Sequence, residues 1–267
     1  MERWSGRLAL VTGASSGIGA AVCVALANSG MKVVGCARSV QKIQDLQKKV
    51  TNPKGSIIGV RCDLRKESEI MAVVDVCKKN GGIDVCINNA GLANGAPLLS
   101  GTTEHWKEMM DVNVMALCIF TREAYKSMKE RNVSDGHIIH VSSSAGHVIV
   151  DNAASNFYTG TKHMVKTLLF GLRNEIRATG THIRVSEISP GLVETNFAVN
   201  AIGEQGAKLV ASALKNLSPQ DVSDSILTML KAPKHVEMFE VILLPTEQYD
   251  TQLTNALTSA MEKAMKK

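Results

Sequence analysis

Aromatic residues are scarce, making up only 4% of a chain of 267 residues. The basic excess is equally thin. The 30 Lys and Arg oppose 25 Asp and Glu, a formal +5, and form no block except Lys263, Lys266 and Lys267 at the C-terminal end. A nucleic-acid surface needs stacking rings and a continuous basic face, so nucleic acid is not an expected partner. Long apolar runs are missing too. No stretch reaches the ~18 residues of a membrane-spanning helix. Residues 1–8 carry no signal-type apolar segment, and Met265-Lys266-Lys267 is no sorting address. A cytoplasmic protein without an integral membrane segment is expected. The six cysteines form no CxxC pair and no Cys/His cluster with zinc spacing. Neither a disulfide framework nor a metal centre is expected, and a reducing compartment suits the chain.

What is present is an ordinary globular composition, 45% hydrophobic and 21% charged, in a chain long enough to bury a core without staples. Short apolar runs alternate with helical patterns. Strands are expected at Leu8–Thr12, Lys32–Ala37, 56–62, 84–87, 137–142, 183–188 and 236–244. Helices are expected at 17–29, stopped by Gly30, and at 40–50, Glu67–Lys79 and 104–131, the last with Thr102 or Thr103 as N-cap. A further helix over 155–178 carries Met164, Val165, Leu168, Leu169 and Leu172 along its apolar stripe. Several strands are apolar on consecutive positions, as in a sheet covered on both faces. The alternation implies an α/β fold, a Rossmann-type doubly wound parallel sheet of about seven strands with helices on both faces. No linker, repeat or low-complexity segment interrupts it. A single domain over 1–250 is expected, then a tail over 251–267 that is either a further amphipathic helix or a frayed end.

The first strand runs into Thr12-Gly13-Ala14-Ser15-Ser16-Gly17-Ile18-Gly19, which opens the first helix. Gly13, Gly17 and Gly19 let the backbone turn tightly and approach a pyrophosphate. The helix start adds free amides and the positive end of a dipole. The strand-before, helix-after context lifts this above a bare glycine triplet. At the end of the second strand, where an Asp or Glu would bond a ribose 2′-hydroxyl, Arg38 and Ser39 stand instead. A cation and a hydroxyl suit a 2′-phosphate, which favours NADP over NAD. Asp63, with Leu64, follows the third strand; it either accepts from an adenine amino group or caps the next helix. Asn88-Asn89-Ala90-Gly91 follows the fourth. Its asparagines can pin neighbouring strands through backbone hydrogen bonds, and its small residues leave room for a planar ligand.

Tyr158 and Lys162 stand four apart on an expected helix and so share a face. A free tyrosine titrates at about 10, and a nearby ammonium favours its phenolate. The pair can then serve as acid for carbonyl reduction and base for alcohol oxidation. Ser142, Ser143 and Ser144 end the fifth strand, where a hydroxyl can hold a substrate oxygen. Asn113 is a polar residue among apolar neighbours inside a long helix, a setting that invites a distortion of the helix or a bound water.

Together these residues resemble the short-chain dehydrogenase/reductase family over roughly residues 8–244. The elements that carry the resemblance are TGASSGIG at 12–19, DL at 63–64, NNAG at 88–91, Asn113, Ser143, Tyr158, Lys162 and SPGLVET at 189–195. The resemblance implies roles. Tyr158 would be the general acid/base, Lys162 would hold the nicotinamide ribose and lower the tyrosine pKa, and Ser143 would orient the carbonyl. Asn113 would hold a water linking Lys162 to solvent. Pro190, Gly191, Val193 and Thr195 would contact the nicotinamide carboxamide and the pyrophosphate. Ser143 lies three before Gly146, as in the family, but two residues further from Tyr158 than in many members. The loop 147–157 is therefore longer than usual, and the choice between Ser143 and Ser144 stays open.

The opening MERW, SMKERNVSDGHII at 127–139 and PTEQ at 245–248 resemble one branch of the family, animal NADP-dependent enzymes that include farnesol dehydrogenases and 17β- and 3-keto-steroid reductases. That resemblance implies NADP(H), a small apolar alcohol or carbonyl substrate, and a homodimer or homotetramer. It also implies a lid over 192–217, lined by Phe197, Ile202, Leu209 and Val210. The competing reading is a catalytically silent NADPH-binding or scaffold protein on the same fold. The Asn/Ser/Tyr/Lys set speaks against it, because a binder has no need of Tyr158.

Overall fold

The fold was analysed in a computed structural model, which describes residues 1–149, 152–197, 199, 204–205, 208 and 215–248. The expected lid residues Ile202, Leu209 and Val210 and the tail 251–267 lie outside the described residues.

Seven parallel strands form one sheet: β1 (Leu8–Thr12), β2 (Lys32–Ala37), β3 (Ser56–Arg61), β4 (Val85–Asn88), β5 (His137–Val141), β6 (Arg184–Pro190) and β7 (Glu240–Leu243). Their order is β3-β2-β1-β4-β5-β6-β7. The chain therefore starts in the middle of the sheet, winds outward to β3, crosses back to β4 and winds out the other way to β7. β1 lies between β2 and β4, so the strand order reverses there and a crevice opens at the C-terminal strand ends.

Among the described residues, seven helices cover the sheet: α1 (Gly17–Asn28), α2 (Val40–Leu46), α3 (Glu67–Lys79), α4 (Thr103–Met110), α5 (Ala116–Glu130), α6 (Asn156–Ala178) and α7 (Pro219–Lys231). β1 and β5 are buried at every position, β1 as its apolar run required and β5 although it carries His137 and His140. Two cores result. One face packs Val22 and Leu26 of α1, Ile43 of α2 and Ile226 of α7 onto Val11, Val33, Ile87 and Ile188. The other packs Ile70 and Val73 of α3, Phe120 of α5 and Leu169 of α6 onto Leu10, Val34, Cys86 and Val185. All six cysteines are free thiols, and Cys36 and Cys62 are buried together in the second core. No described helix is long and apolar enough to cross a membrane.

Three departures from expectation have physical causes. The helix expected over 104–131 is interrupted: a π-helical turn, Asp111–Met115, separates α4 from α5. Thr102 caps α4, its hydroxyl accepting from the His105 amide at 3.3 Å. On α6 the core stripe uses Val165, Leu169 and Ile176, while Met164 stands out to solvent. Finally, α7 has no counterpart among the expected helices. Its start is marked in the sequence by Ser218-Pro219-Gln220-Asp221, where Ser218 and Asp221 close a capping box and Pro219 takes the first turn.

Candidate active site

The crevice at the head of β1 is built by mutual pinning. Asn89 Nδ2 donates to the Thr12 carbonyl at 2.8 Å, and the amides of Asn89 and Ala90 both donate to the Thr12 hydroxyl at 3.0 Å. Of the two asparagines expected to pin neighbouring strands, Asn89 ties β4 to β1. Asn88 points the other way and donates to Thr121 of α5 at 3.0 Å. Gly13 and Gly17 take positive φ, 66° and 53°. A Cβ on Gly13 would stand 2.9 Å from Ala90 Cα, and one on Gly17 would stand 2.9 Å from Thr195 Cγ2. At Gly19 a Cβ would run into the Gly13 carbonyl. The glycine turn with Ser15, Ser16 and Ile18, the 89–91 segment and the 193–195 segment therefore meet around one cradle. Ser16 precedes α1 without a side-chain cap, leaving first-turn amides for an outside acceptor.

Arg38 and Ser39 lie exposed at the end of β2, and Arg38 has no ion-pair partner among the described residues. Asp63 is buried beside them and held by Arg65, whose backbone amide, Nε and Nη2 donate to it at 3.1, 2.9 and 2.7 Å. That guanidinium brings the Asp63 carboxyl down to about 2. Asp63 does not cap the next helix, because the N-cap of α3 is Lys66. Its carboxylate instead closes a turn onto the Arg65 amide. Leu64 packs against the core beneath the sheet.

On the other side of the crevice, α6 carries Tyr158 and Lys162 one turn apart. The Lys162 Nζ lies 5.7 Å from the Tyr158 ring centroid and donates to the Val141 carbonyl at 3.2 Å. Burial pushes Lys162 down to about 8, against the charge of Glu187. Burial pushes Tyr158 up to about 12, while a hydrogen bond with the Ser143 hydroxyl acts in the lowering direction. Among the protein's own groups, then, desolvation outweighs any lowering by the neighbouring ammonium, and Tyr158 stays a phenol at neutral pH. Of the two candidate serines, Ser143 is the one that acts on the Tyr158 hydroxyl. It also accepts from the Ala145 amide at 3.1 Å and so starts the 3-10 turn Ser144–Gly146.

Asn113 completes the cluster. Its Oδ1 accepts from the Leu92 amide at 2.8 Å, and its Nδ2 donates to the Leu92 carbonyl at 2.9 Å and to Thr161 Oγ1 at 3.1 Å. The π turn swings the side chain out of the helix so that it can span that gap. A Cβ on Gly91 would lie 3.6 Å from both Asn113 Oδ1 and Lys162 Nζ, so the three residues converge. Pro190 ends β6, the Gly191 amide donates to the Leu243 carbonyl at 2.8 Å, and Val193 bridges to Leu217. The Phe197 ring lies 5.6 Å from that of Tyr158, centroid to centroid. Sequence reasoning missed Thr12, Thr161, Leu92 and Gln248, whose Oε1 accepts from the Leu192 amide at 2.9 Å. Leu92 and Gln248 act through or upon backbone groups, which leave no mark in the pattern. Thr12 sat in the quoted glycine-turn string, and only its hydroxyl's two acceptor bonds were illegible.

Such a sheet, cradle and tyrosine–lysine helix define a dinucleotide-type oxidoreductase fold. The chain belongs to the short chain dehydrogenase family, whose model matches residues 7–206. It is 51% identical to chicken (Gallus gallus) dehydrogenase/reductase SDR family member 11, over 93% of this chain and 99% of that one. It is 41% identical to farnesol dehydrogenase of Aedes aegypti, over 92% and 98%. Among solved structures it is similar to the closed form of serine dehydrogenase complexed with NADP+, with TM-score 0.81, 31% identity, and 91% and 96% of the two chains covered.

Proposed function

We propose that this oxidoreductase uses NADP(H) to interconvert an apolar alcohol and its ketone or aldehyde, with Tyr158 as acid and base. One observation carries the reading: Tyr158, Ser143, Lys162 and Asn113 meet at the mouth of a glycine cradle backed by an uncapped helix. The residues fit the cofactor. Gly13, Ser15, Ser16, Gly17, Ile18 and Gly19 would hold the pyrophosphate. Arg38 and Ser39 would take the 2′-phosphate, and Asp63, Leu64, Asn89, Ala90 and Gly91 the adenosine side. Pro190, Gly191, Val193 and Thr195 would hold the nicotinamide half. Bound there, NADPH supplies a hydride and, once oxidised, a positive charge on its ring.

The chain's own groups manage the proton. Tyr158 is kept protonated by burial and gives its proton to the carbonyl oxygen, which the Ser143 hydroxyl holds in place. Lys162 would bind the ribose hydroxyls, and its ammonium faces the tyrosine ring. In the oxidation direction a cation in the cradle favours the phenolate and adds to Lys162, lowering Tyr158 from its high resting value. Asn113, clamped to Leu92, also donates to Thr161, the residue before Lys162 on α6. The apolar substrate class is supported by Phe197 beside Tyr158 and by the farnesol dehydrogenase relative. Terpenoid alcohols such as farnesol and ketosteroids are the classes to screen. Apolar side chains left exposed on the π turn and α6, Met115, Met164 and Phe170, support a homodimer or homotetramer.

The test is turnover of NADPH and NADP+ with ketosteroids, terpenoid alcohols and aldehydes by the wild type and by Tyr158→Phe. Turnover should fall roughly 100-fold or more in the variant, while NADPH binding, read by fluorescence, persists. Unchanged turnover in Tyr158→Phe would discard the mechanism, and tight NADPH binding with no turnover of any such substrate would favour a scaffold.

A further inference from the structure

Along α6 the stripe that begins with Tyr158 and Lys162 continues for another turn to Lys166. Beneath that stripe lie two carboxylates, Glu187 of β6 and Glu240 of β7, which are direct partners across the β6–β7 ladder. Glu187 is fully buried. A mid-strand carboxylate in a sheet core is costly unless it is paired, and its partners can be traced atom by atom. The Lys166 ammonium has only protons to give, so it donates to His147 Nδ1, 3.0 Å away. That fixes the tautomer: His147 Nε2 carries the proton and donates to Ser189 Oγ at 2.9 Å. Ser189 in turn donates to Glu187 Oε1 at 2.8 Å, with His147 Nε2 also 3.4 Å from the same oxygen. The second oxygen, Glu187 Oε2, is buried with no hydrogen-bond partner.

The groups facing Glu187 are Lys162 and Lys166 from α6, Glu240 from β7, His147 from the loop after β5, and the buried His140, its register partner on β5. His140 and His147 are both held neutral-ward, each chiefly by burial. What remains is two ammonium groups on one helix over two carboxylates on the sheet. The Lys166 ammonium lies 3.2 Å from Glu240 Oε1 and 3.0 Å from His147 Nδ1, and so spans the two. Lys162 donates to the Val141 carbonyl, and Val141 pairs with Ile188 across the β5–β6 ladder, one position from Glu187, so Lys162 is the α6 ammonium placed over that carboxylate.

We propose that Glu187 is a positioning residue for the acid–base pair: a carboxylate set beneath α6 and oriented by Ser189 and His147 that holds Lys162 in its ammonium form. The role assigned to Lys162 follows the proposed function above. The arrangement answers a problem that site has by construction. Among the described residues the Lys162 ammonium has one hydrogen bond, to the Val141 carbonyl, and burial alone drives a lysine towards the neutral amine. Glu187 acts against that drive, and burial, which raises Glu187, is opposed by the Ser189 hydrogen bond and the two ammonium groups.

The experiment reads the lysine itself, without substrate or cofactor. Protein labelled with 13C at lysine Cε is titrated by NMR, the Lys162 signal being assigned by its loss in Lys162→Met. In Glu187→Gln, Lys162 should titrate at least one pH unit lower than in the wild type, whereas Glu187→Asp, which keeps the charge, should move it less. The coupling must be reciprocal. In Lys162→Met, the Glu187 carboxyl signal of glutamate-labelled protein should therefore move up by a similar amount, and this variant serves even if Glu187→Gln does not fold. A Lys162 titration identical in wild type and Glu187→Gln, or a Glu187 titration indifferent to loss of Lys162, overturns the proposal. Neither result depends on turnover, so a wrong reaction and a wrong role for Glu187 are told apart.

Discussion

Asn113 holds Leu92 by both ends of its amide: Oδ1 accepts from the Leu92 N–H and Nδ2 donates to the Leu92 C=O. The same Nδ2 reaches Thr161, three residues after Tyr158 and one before Lys162. A single buried side chain thus ties the loop after β4 to the helix that carries the reacting pair. Asn113→Ala removes the partner of both half-buried Leu92 backbone groups, at up to about 1–3 kcal/mol for each group left unpaired. Asn113→Asp keeps the acceptor and loses both donations. The alanine variant should unfold at distinctly lower urea, and the aspartate variant should fall at or below it. Urea melts followed by circular dichroism decide this. An alanine variant as stable as wild type would mean that the clamp is incidental to the fold.

Arg38 stands exposed at the end of β2 with no ion-pair partner among the described residues, while the neighbouring carboxylate of Asp63 is already taken by Arg65. That division supports a 2′-phosphate site on Arg38 and Ser39. In Arg38→Asp the cation becomes an anion that repels a phosphate but accepts from a ribose hydroxyl. The KM for NADPH should rise roughly tenfold or more, with NADH gaining ground. Paired KM values for the two cofactors, in both proteins, are the check. A wild type that already prefers NADH would remove the basis for the Arg38 assignment.

The architecture was legible because its signals are local. Unbroken apolar runs such as LALVT, glycines at 13, 17 and 19, and a Tyr–Lys pair one helical turn apart each state their meaning within a few residues. Order and spacing then joined them. What stayed hidden is what depends on distant partners. Asn113 could be marked as a distortion or a water site, yet only the fold shows that its partner is Leu92. Helix α7 escaped although Ser218 and Asp221 announce its cap, because its core residues Val222, Ile226 and Met229 gain their meaning only against α1. Glu187 escaped because a glutamate in a strand of mixed polar and apolar residues carries no local signal, and His147 and Lys166, which face it, are 40 and 21 residues away in sequence.

Two histidines in β5 make the fold sensitive to mild acid. Burial, with the Lys162 charge added, holds His140 at about 3. Burial, with Arg184 and Arg3 added, holds His137 well below its ordinary 6.5. The Nδ1 atoms of both rings are buried without partners, so a proton placed there would find no acceptor. The unfolded chain protonates these rings at about 6.5 and the folded chain does not. The stability they contribute is therefore whole above that pH and is lost as the pH falls below it. Each ring can remove up to about 1.4 kcal/mol per pH unit, and for His140 the loss continues towards about 3. Asp63 has the same sign but a lower window. Its carboxyl is held at about 2, so its share of the stability is lost only between the ordinary 3.8 and that value. The urea midpoint should accordingly drop between pH 7.5 and pH 5.5, well above the range where carboxylates titrate. In His140→Gln the slope should flatten by about one proton. A midpoint that holds steady to pH 5.5 would show that these rings take up protons within the folded protein.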